Sequence, residues 1–217
     1  MLDEHKNEIK VILLGNSGVG KTSLINTCVG LSFSEKYEST SSSTYMRKDF
    51  NINNKKYLIN LWDTAGQEIF KSITKIFVKG SDIVVFVYDI TDDNSFKCLE
   101  DWIKMCDEII ENKYICGIVG NKQDLFLNEG GVPEEEAKEY ADKKNMPFEV
   151  VSAKEDPQTF ELFLKQLVEK HLELKEENKE KDEKSEKNEK KEEEKKTIGL
   201  KLEEPTKKKK KFCFGLF

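Results

Sequence analysis

Short apolar runs alternate with amphipathic stretches along most of the chain. Continuous apolar runs such as Ile83–Tyr88 are typical of strands that are covered on both faces. Stretches in which apolar residues recur three and four positions apart favour helices. The strands predicted from this pattern are Ile9–Leu14, Tyr45–Ile52, Lys56–Asp63, Ile83–Tyr88, Tyr114–Gly120 and Phe148–Val151.

Helices are predicted between and after these strands. Their starts are marked by small polar residues at the N-cap or by proline in the first turn. The polar stretch Ser32–Thr44 is predicted to be a loop. The predicted helices are Lys21–Val29, the weakly marked Glu68–Phe77, one capped by Asn94 or Ser95 that runs to about Glu111, one from Pro133 through Lys143, and one that starts at Pro157 or Gln158.

The alternation of strands and helices predicts an α/β fold. Right-handed crossovers between successive strands give a mostly parallel sheet of six strands with helices on both faces. The second and third strands are joined by Asn53-Asn54 as a hairpin turn, so that one strand is antiparallel. Ligands of such sheets bind beyond the carboxyl ends of the strands, where the polar motifs described next are found.

A glycine-rich turn, Gly15–Thr22, lies between the first strand and the first helix. This is the context that a phosphate-binding P-loop requires, so the fold is predicted to be that of a P-loop NTPase. Inward-pointing N–H groups and the helix N-terminus favour an anion there. Lys21 can reach the β- and γ-phosphates, and the Thr22 hydroxyl can ligate Mg²⁺. The predicted phosphate-binding residues are Asn16, Ser17, Gly18, Val19, Gly20, Lys21, Thr22 and Ser23.

A second motif, Leu61–Glu68, ends the third strand. Asp63 can hold Mg²⁺ through a water, because it lies at the carboxyl end of a strand that faces the P-loop. Gly66 lets a backbone N–H approach the γ-phosphate closely. Gln67 can orient the attacking water, so Gln67 and Lys21 are the predicted catalytic residues.

Two further motifs indicate which base is bound. Asp124, in Asn121-Lys122-Gln123-Asp124, can accept two N–H bonds from guanine, and adenine lacks that pair of donors. Asn121 can tie this loop to the P-loop, and the Lys122 stem can lie along the base. In Ser152-Ala153-Lys154, a backbone N–H, that of Ala153, can bond the guanine O6.

The composition indicates that the chain contains a polar tail in addition to the folded domain. The chain has 217 residues, of which 36% are charged, well above the usual quarter. The net charge of −6 gives no indication of nucleic-acid binding. The five cysteines include no pair with metal-ligand spacing. The N-terminus lacks the features of a signal peptide and no run is long enough to span a bilayer, so we expect a cytosolic protein.

The tail begins where the apolar pattern stops. We expect a GTP-binding domain over residues 1–174 and a Lys/Glu-rich spacer over 175–206 that is either a charged helix or a disordered linker. Residues 207–217 combine five lysines with Phe212, Cys213 and other apolar residues. This composition favours an anionic membrane surface, with Cys213 as a lipidation candidate outside the standard C-terminal motif. An unmodified apolar terminus is the alternative.

Taken together, the motifs resemble those of Ras-superfamily small GTPases, most of all the Rab branch, over residues 9–172. The resemblance is carried by Gly15–Thr22, Trp62–Glu68, Tyr88–Thr91 and Asn121–Asp124. It implies that Thr40, rather than a neighbouring serine, is the switch threonine that reaches Mg²⁺ and the γ-phosphate. It also implies that Phe33 stacks beside guanine and that Tyr37 lies over the phosphates.

The resemblance implies a monomeric switch that cycles between GTP and GDP and regulates vesicle traffic on the cytoplasmic face of an intracellular membrane. Effectors, an exchange factor and a GTPase-activating protein are the expected partners. The chain departs from the Rab pattern at Ser41–Tyr45 and at Phe77–Gly80, which face partners. A GTP-binding scaffold that no longer cycles is therefore an alternative, and an ATP-using P-loop enzyme is a remote one.

Overall fold

The computed structural model describes residues 7–36, 40, 44–64, 71–110 and 114–201, without the side chains of 71–74, 180 and 182–201. The chain divides after Glu173 into two units. The first unit contains the sheet and the helices packed on it. The second contains the C-terminal part of the last helix.

The strands form a single six-stranded sheet in the first unit. Its strands are β1 (Glu8–Leu14), β2 (Thr44–Ile52), β3 (Lys55–Asp63), β4 (Ile83–Asp89), β5 (Ile115–Asn121) and β6 (Phe148–Val150). Their order is β2-β3-β1-β4-β5-β6, and every pairing is parallel except that of β2 with β3. The predicted fold class, a mostly parallel α/β sheet, is confirmed.

The hairpin between β2 and β3 turns at the two predicted asparagines. Asn53 and Asn54 both have positive φ angles, 51° and 60°. Asparagine tolerates this left-handed conformation better than most residues, and two such residues in succession match the twist of a β-hairpin. The turn fixes the register in which Thr44 lies opposite Asp63.

Helices connect the strands, and the last one is much longer than the others. They are α1 (Lys21–Cys28), α2 (Lys71–Val78), α3 (Asp93–Lys97), α4 (Leu99–Ile109), α5 (Gln123–Glu129), α6 (Glu134–Lys143) and α7 (Pro157–Lys201). None of the helices among the described residues is both long enough and apolar enough to cross a membrane. Residues 202–217, which include Cys213, lie outside the described residues.

One predicted helix was wrong at its start and in its continuity. Asp92, not Asn94 or Ser95, is the N-cap of α3, and its side chain accepts a hydrogen bond from the Asn94 N–H at 2.9 Å. Ser95 is buried, where its hydroxyl accepts from the Asp89 N–H at 3.0 Å. The expected single helix is interrupted at Cys98 and continues as α4.

Helix α5 was not predicted. It follows directly after Lys122, which adopts a left-handed conformation with φ of 71° and serves as its N-cap. No residue of α5 is buried, so the helix leaves no apolar periodicity in the sequence.

The long helix α7 packs on the sheet through its predicted apolar face. Phe163, which is only 2% exposed, lies over Gly117 of β5. A Cβ atom at Gly117 would lie 2.7 Å from the Phe163 Cζ, so glycine is needed for this close approach. The other residues of this face are Phe160, Leu164, Leu167 and Val168, and all of them are buried.

Replacing Phe163 by Ala is expected to lower the free energy of unfolding by about 3–5 kcal/mol, because the lost ring leaves a cavity between α7 and β5. The neighbouring Leu162 is 60% exposed. Leu162→Ala is expected to change the free energy of unfolding by less than about 0.5 kcal/mol. Urea unfolding of the full chain at one fixed nucleotide concentration measures both values. Equal losses for the two variants would contradict this packing.

Candidate nucleotide-binding site

A cavity of about 600 Å³ lies where the loops that follow β1, β3, β5 and β6 meet. It is therefore at the carboxyl ends of the parallel strands, where ligands of such sheets bind. Its lining residues are Ser17, Gly18, Gly20, Lys21, Thr22, Ser23, Asn26, Ser32, Phe33, Ser34, Glu35, Lys36, Thr40, Thr64, Asn121, Lys122, Asp124, Leu125, Ala153 and Lys154.

The loop between β1 and α1 presents backbone donors to this cavity. Gly20 is the N-cap of α1, no side chain caps the helix, and its first turn contains no acidic residue. The N-terminal N–H groups of α1 thus remain available to an anion, as the helix dipole favours. Gly20 has a φ of 96°, and a Cβ atom there would lie 2.2 Å from Asn121 Nδ2, so no other residue fits.

Lys21 is buried at the floor of the cavity. Its Nζ donates to the Gly15 and Asn16 carbonyl oxygens, both at 2.9 Å. Burial lowers the pKa of Lys21 to about 8, and the charge of Asp63 opposes this shift. An anionic ligand would stabilise the ammonium form, which burial disfavours.

Three oxygen-bearing side chains meet beside Lys21. The Thr22 hydroxyl donates to Asp63 Oδ2 at 2.7 Å and lies 2.9 Å from the Thr40 hydroxyl. The other carboxylate oxygen of Asp63, Oδ1, is buried and has no hydrogen-bond partner among the described residues. Burial raises the pKa of Asp63, while the hydrogen bond from Thr22 and the charge of Lys21 lower it.

These three side chains fit a magnesium ion. Mg²⁺ binds one or two carboxylates together with hydroxyl, phosphate and water oxygens. A buried carboxylate oxygen without a donor is unfavourable unless a cation or a ligand completes it. The predicted metal ligands Thr22, Thr40 and Asp63 are therefore brought together by the fold. Among the described residues, no group of three or more acidic, histidine or cysteine side chains is placed to hold a metal ion.

Asn121 ties together the loops on the two sides of the cavity. Its side chain is 2% exposed; Nδ2 donates to the Val19 carbonyl at 2.9 Å, and Oδ1 accepts from the Ala153 N–H at 3.1 Å. The link to the P-loop was anticipated. The Ala153 N–H, expected to face a guanine O6, donates to Asn121 instead, so its contact with a base stays a prediction.

Asp124 lies on the cavity wall in the first turn of α5. Its Oδ1 accepts a hydrogen bond from the Ser152 hydroxyl at 2.6 Å, which orients the carboxylate. Lys122 Nζ lies 2.5 Å from Asp89 Oδ2, and Asp89 in turn accepts from the Thr91 N–H and hydroxyl. Asp89 thus holds Lys122 in place, a role that no local sequence feature indicated.

An ion pair spans the rim of the cavity. Lys154 Nζ lies 2.9 Å from Glu35 Oε1, which connects the loop after β6 with the loop after α1. Glu35 raises the pKa of Lys154 through a hydrogen bond and its charge. Both side chains are exposed, so the pair orders the rim more than it stabilises the fold.

Not every predicted site residue lines the cavity. Four of them are absent from the lining: Asn16, Val19, Asp63 and Ser152. Each is hydrogen-bonded to a lining residue, namely Lys21, Asn121, Thr22 and Asp124 respectively. Tyr37, Gly66 and Gln67 lie outside the described residues. The lining residues that were not predicted are Asn26, Ser32, Ser34, Glu35, Lys36, Thr64 and Leu125. All of them except Thr64, which belongs to the motif Leu61–Glu68, lie outside the motifs described above.

A stack of aromatic side chains lies on β2, β3 and α2. Tyr45 stacks on Trp62 with ring centroids 5.2 Å apart, and Trp62 contacts Phe77 at 5.4 Å. Lys10 Nζ lies 5.2 Å from the Trp62 ring centroid and donates to the Phe77 carbonyl, which fixes the end of α2. Trp62 directly precedes the candidate metal ligand Asp63 in β3.

The fold and this set of loops define a P-loop nucleotide-binding protein. A family model described as "Ras family" matches residues 10–172. The chain belongs to the Ras family of small GTPases. It is accordingly a GTPase that binds guanine nucleotides.

Similar proteins narrow the family further. The chain is 35% identical over 163 residues to Ras-related protein Rab-30 of Homo sapiens. The aligned residues cover 75% of this chain and 80% of that protein. It is 39% identical over 155 residues to Ras-related protein Rab-21 of Geodia cydonium (71% and 67% covered). It is 40% identical over 157 residues to Ras-related protein Rab7 of Glycine max (68% and 75% covered). The Rab-like resemblance is confirmed.

Asn121→Leu is expected to accelerate the release of bound GDP by at least about 100-fold. The substitution leaves the Val19 carbonyl and the Ala153 N–H without their buried partner, and each such loss weakens the site by about 1–3 kcal/mol. Stopped-flow release of a fluorescent GDP measures the rate. Asn51→Leu makes the same chemical change at an exposed position of β2 and serves as the control. A GDP release rate of Asn121→Leu within twofold of that of Asn51→Leu would contradict the role of Asn121 in linking the two loops.

Proposed function

We propose that this protein is a Mg²⁺-dependent switch that cycles between GTP and GDP and regulates vesicle-mediated membrane traffic. The observation that carries the proposal is the contact of Thr40 with Thr22, 2.9 Å between hydroxyls, beside the buried Asp63 carboxylate. A residue from the loop after α1 thereby reaches the P-loop at the point where a γ-phosphate and its metal would lie. Loss of that phosphate would release Thr40 and change the surface that partners recognise.

Each residue of the site has a role in this scheme. Lys21 would neutralise charge on the β- and γ-phosphates, and Gln67 would orient the attacking water. Thr22, Thr40 and Asp63 would hold Mg²⁺, directly or through water. When bound, the ion supplies positive charge at the phosphate oxygens. Asp124 would select guanine, since its carboxylate needs two donors that adenine lacks.

Hydrolysis without a partner is expected to be slow. Arg47 is the sole arginine of the chain, and it lies outside the cavity lining with its guanidinium 5.6 Å from the Tyr45 ring centroid. An arginine at the transferred phosphoryl group contributes a factor of about 10³ to 10⁵ in rate. A GTPase-activating protein would therefore supply the missing group.

The aromatic stack of Tyr45, Trp62 and Phe77 is the surface that we assign to effectors. It joins β2 and β3 to α2 and adjoins Asp63, so a change at the γ-phosphate can alter it. The role in traffic is supported by the Rab names of the relatives. The five lysines and Cys213 at the end of the chain would attach it to the cytoplasmic face of a membrane.

Single-turnover hydrolysis of bound GTP by the purified full chain is expected at about 10⁻⁴ to 10⁻² s⁻¹. Gln67→Leu removes the group that orients water and is expected to slow it by at least about tenfold. Turnover of several per second without a partner would contradict the proposed need for an activating protein. Equal rates for the two proteins would instead favour a GTP-binding scaffold that does not cycle.

Asp124→Asn is expected to lower the affinity for GDP by at least about 100-fold and to raise that for xanthosine diphosphate. The amide oxygen can accept the N1–H of xanthine, and the amide NH₂ can donate to its 2-oxo group. Competition against a fluorescent GDP measures both affinities. Asp142→Asn, an exposed position of α6, is the control. GDP affinity that survives Asp124→Asn would rule out this assignment of the base.

A further inference from the structure

Asn16, which follows Gly15 in the P-loop, is held by a side chain that lies outside the cavity lining. Asn16 does not line the cavity, and its Oδ1 accepts a hydrogen bond from the Trp102 indole N–H at 3.0 Å. Trp102 belongs to α4, 86 positions further along the chain. The bond therefore connects the P-loop to a helix that contributes no residue to the cavity.

Asn16 connects this helix to the lysine at the cavity floor. While its side chain accepts from Trp102, its carbonyl oxygen accepts from Lys21 Nζ at 2.9 Å. A shift of Asn16 would thus move one of the two carbonyl groups that hold the ammonium group. Two hydrogen bonds thus connect the indole with Lys21 through Asn16, one to its side chain and one to its backbone carbonyl.

Trp102 is placed to act as a rigid support. It is 3% exposed and packs in the core of the sheet's helical layer. An indole offers one donor and no acceptor, so the position of a buried ring strongly restricts the group that it can bind. The same ring lines a groove of about 300 Å³ together with Lys75 of α2 and Met105 of α4. It therefore lies between α2 and the P-loop.

We propose that Trp102 is a positioning residue for the P-loop and that its hydrogen bond to Asn16 slows the release of bound nucleotide. This rests on the proposed role of Lys21 and the P-loop in binding phosphates. Trp102 does not contact the cavity itself, so its effect passes through Asn16 and Lys21.

The release rate of a fluorescent GDP from the full chain tests the proposal. Trp102→Phe keeps an aromatic ring but removes the N–H, and Asn16→Leu keeps the side-chain volume but removes the acceptor. Each is expected to accelerate release about 3- to 10-fold, as for the loss of one hydrogen bond. The double variant is expected to release no faster than the faster single variant, because both remove the same bond. Independent, multiplying effects, or rates equal to wild type, would overturn the proposal.

A control variant, Tyr140→Phe, separates this effect from a general loss of stability. Tyr140→Phe deletes another side-chain hydrogen bond of α4, the one from the Tyr140 hydroxyl to Glu100 at 2.9 Å, away from the cavity. It is expected to leave the release rate unchanged. If Tyr140→Phe accelerates release as much as Asn16→Leu does, the effect is not specific to the Trp102 bond and the proposal fails. Asn16→Leu keeps the Trp102 packing, so it remains informative if Trp102→Phe does not fold.

The indole N–H can also be observed directly. The chain has two tryptophans, Trp62 and Trp102, so its ¹⁵N spectrum contains two indole signals. Asn16→Leu is expected to move the Trp102 signal and to accelerate its hydrogen exchange, with the Trp62 signal unchanged. An unchanged Trp102 signal would show that the bond does not form in solution.

The variant Lys21→Ala distinguishes a failure of the proposed phosphate site from a failure of the proposed role of Trp102. Lys21→Ala is expected to abolish tight GDP binding. If Lys21→Ala binds GDP as wild type does, the proposed phosphate site is wrong and the inference fails with it. If Lys21→Ala loses GDP while Trp102→Phe and Asn16→Leu both release it at the wild-type rate, only the role of Trp102 is refuted.

Discussion

The buried side chain of Asn121 is the contact on which the geometry of the cavity depends. It lies at the last position of β5 and bonds the P-loop through Val19 and the loop after β6 through Ala153. Two loops that are far apart in sequence are thereby held at a fixed separation, with the cavity between them. Gly20 leaves just enough room for this side chain, so the glycine and the asparagine require each other.

The electrostatics of the site indicate what the cavity holds. The ammonium group of Lys21 is buried against backbone carbonyls, and burial lowers its pKa. Beside it, one buried oxygen of Asp63 has no hydrogen-bond partner within the described part of the chain. The Lys21 ammonium group favours an added anion, and the Asp63 oxygen favours an added cation or hydrogen-bond donor. A phosphate with its magnesium ion satisfies both at once, which neither a neutral ligand nor a bare anion would do.

Much of this arrangement could be predicted from the sequence, because its signals are local. The buried strands are continuous apolar runs, the hairpin turns on Asn53-Asn54, and each polar motif follows a strand at its carboxyl end. Parallel topology then brings these motifs to one edge of the sheet. Asp63 and Asn121 could be assigned in this way, since their chemistry and their positions at strand ends coincide.

The parts that could not be predicted have no local signature. Helix α5 has no buried residue, and no glycine or proline marks the break between α3 and α4 at Cys98. The contacts that orient the site residues join distant positions, as with Lys154 and Glu35, Lys122 and Asp89, or Trp102 and Asn16. Such pairs follow from the packing of whole elements, which a single sequence does not encode in any short window.

The central claim is that the loops at this edge of the sheet enclose a guanine nucleotide with Mg²⁺. The most direct measurement is the nucleotide content of the purified full chain, released by denaturation in acid and separated by ion-pair chromatography. We expect GDP or GTP in nearly equimolar amount, retained in Mg²⁺ and lost after chelation with EDTA. Adenine nucleotide in its place, or protein that is free of nucleotide and takes up none when GDP and Mg²⁺ are added, would contradict the account.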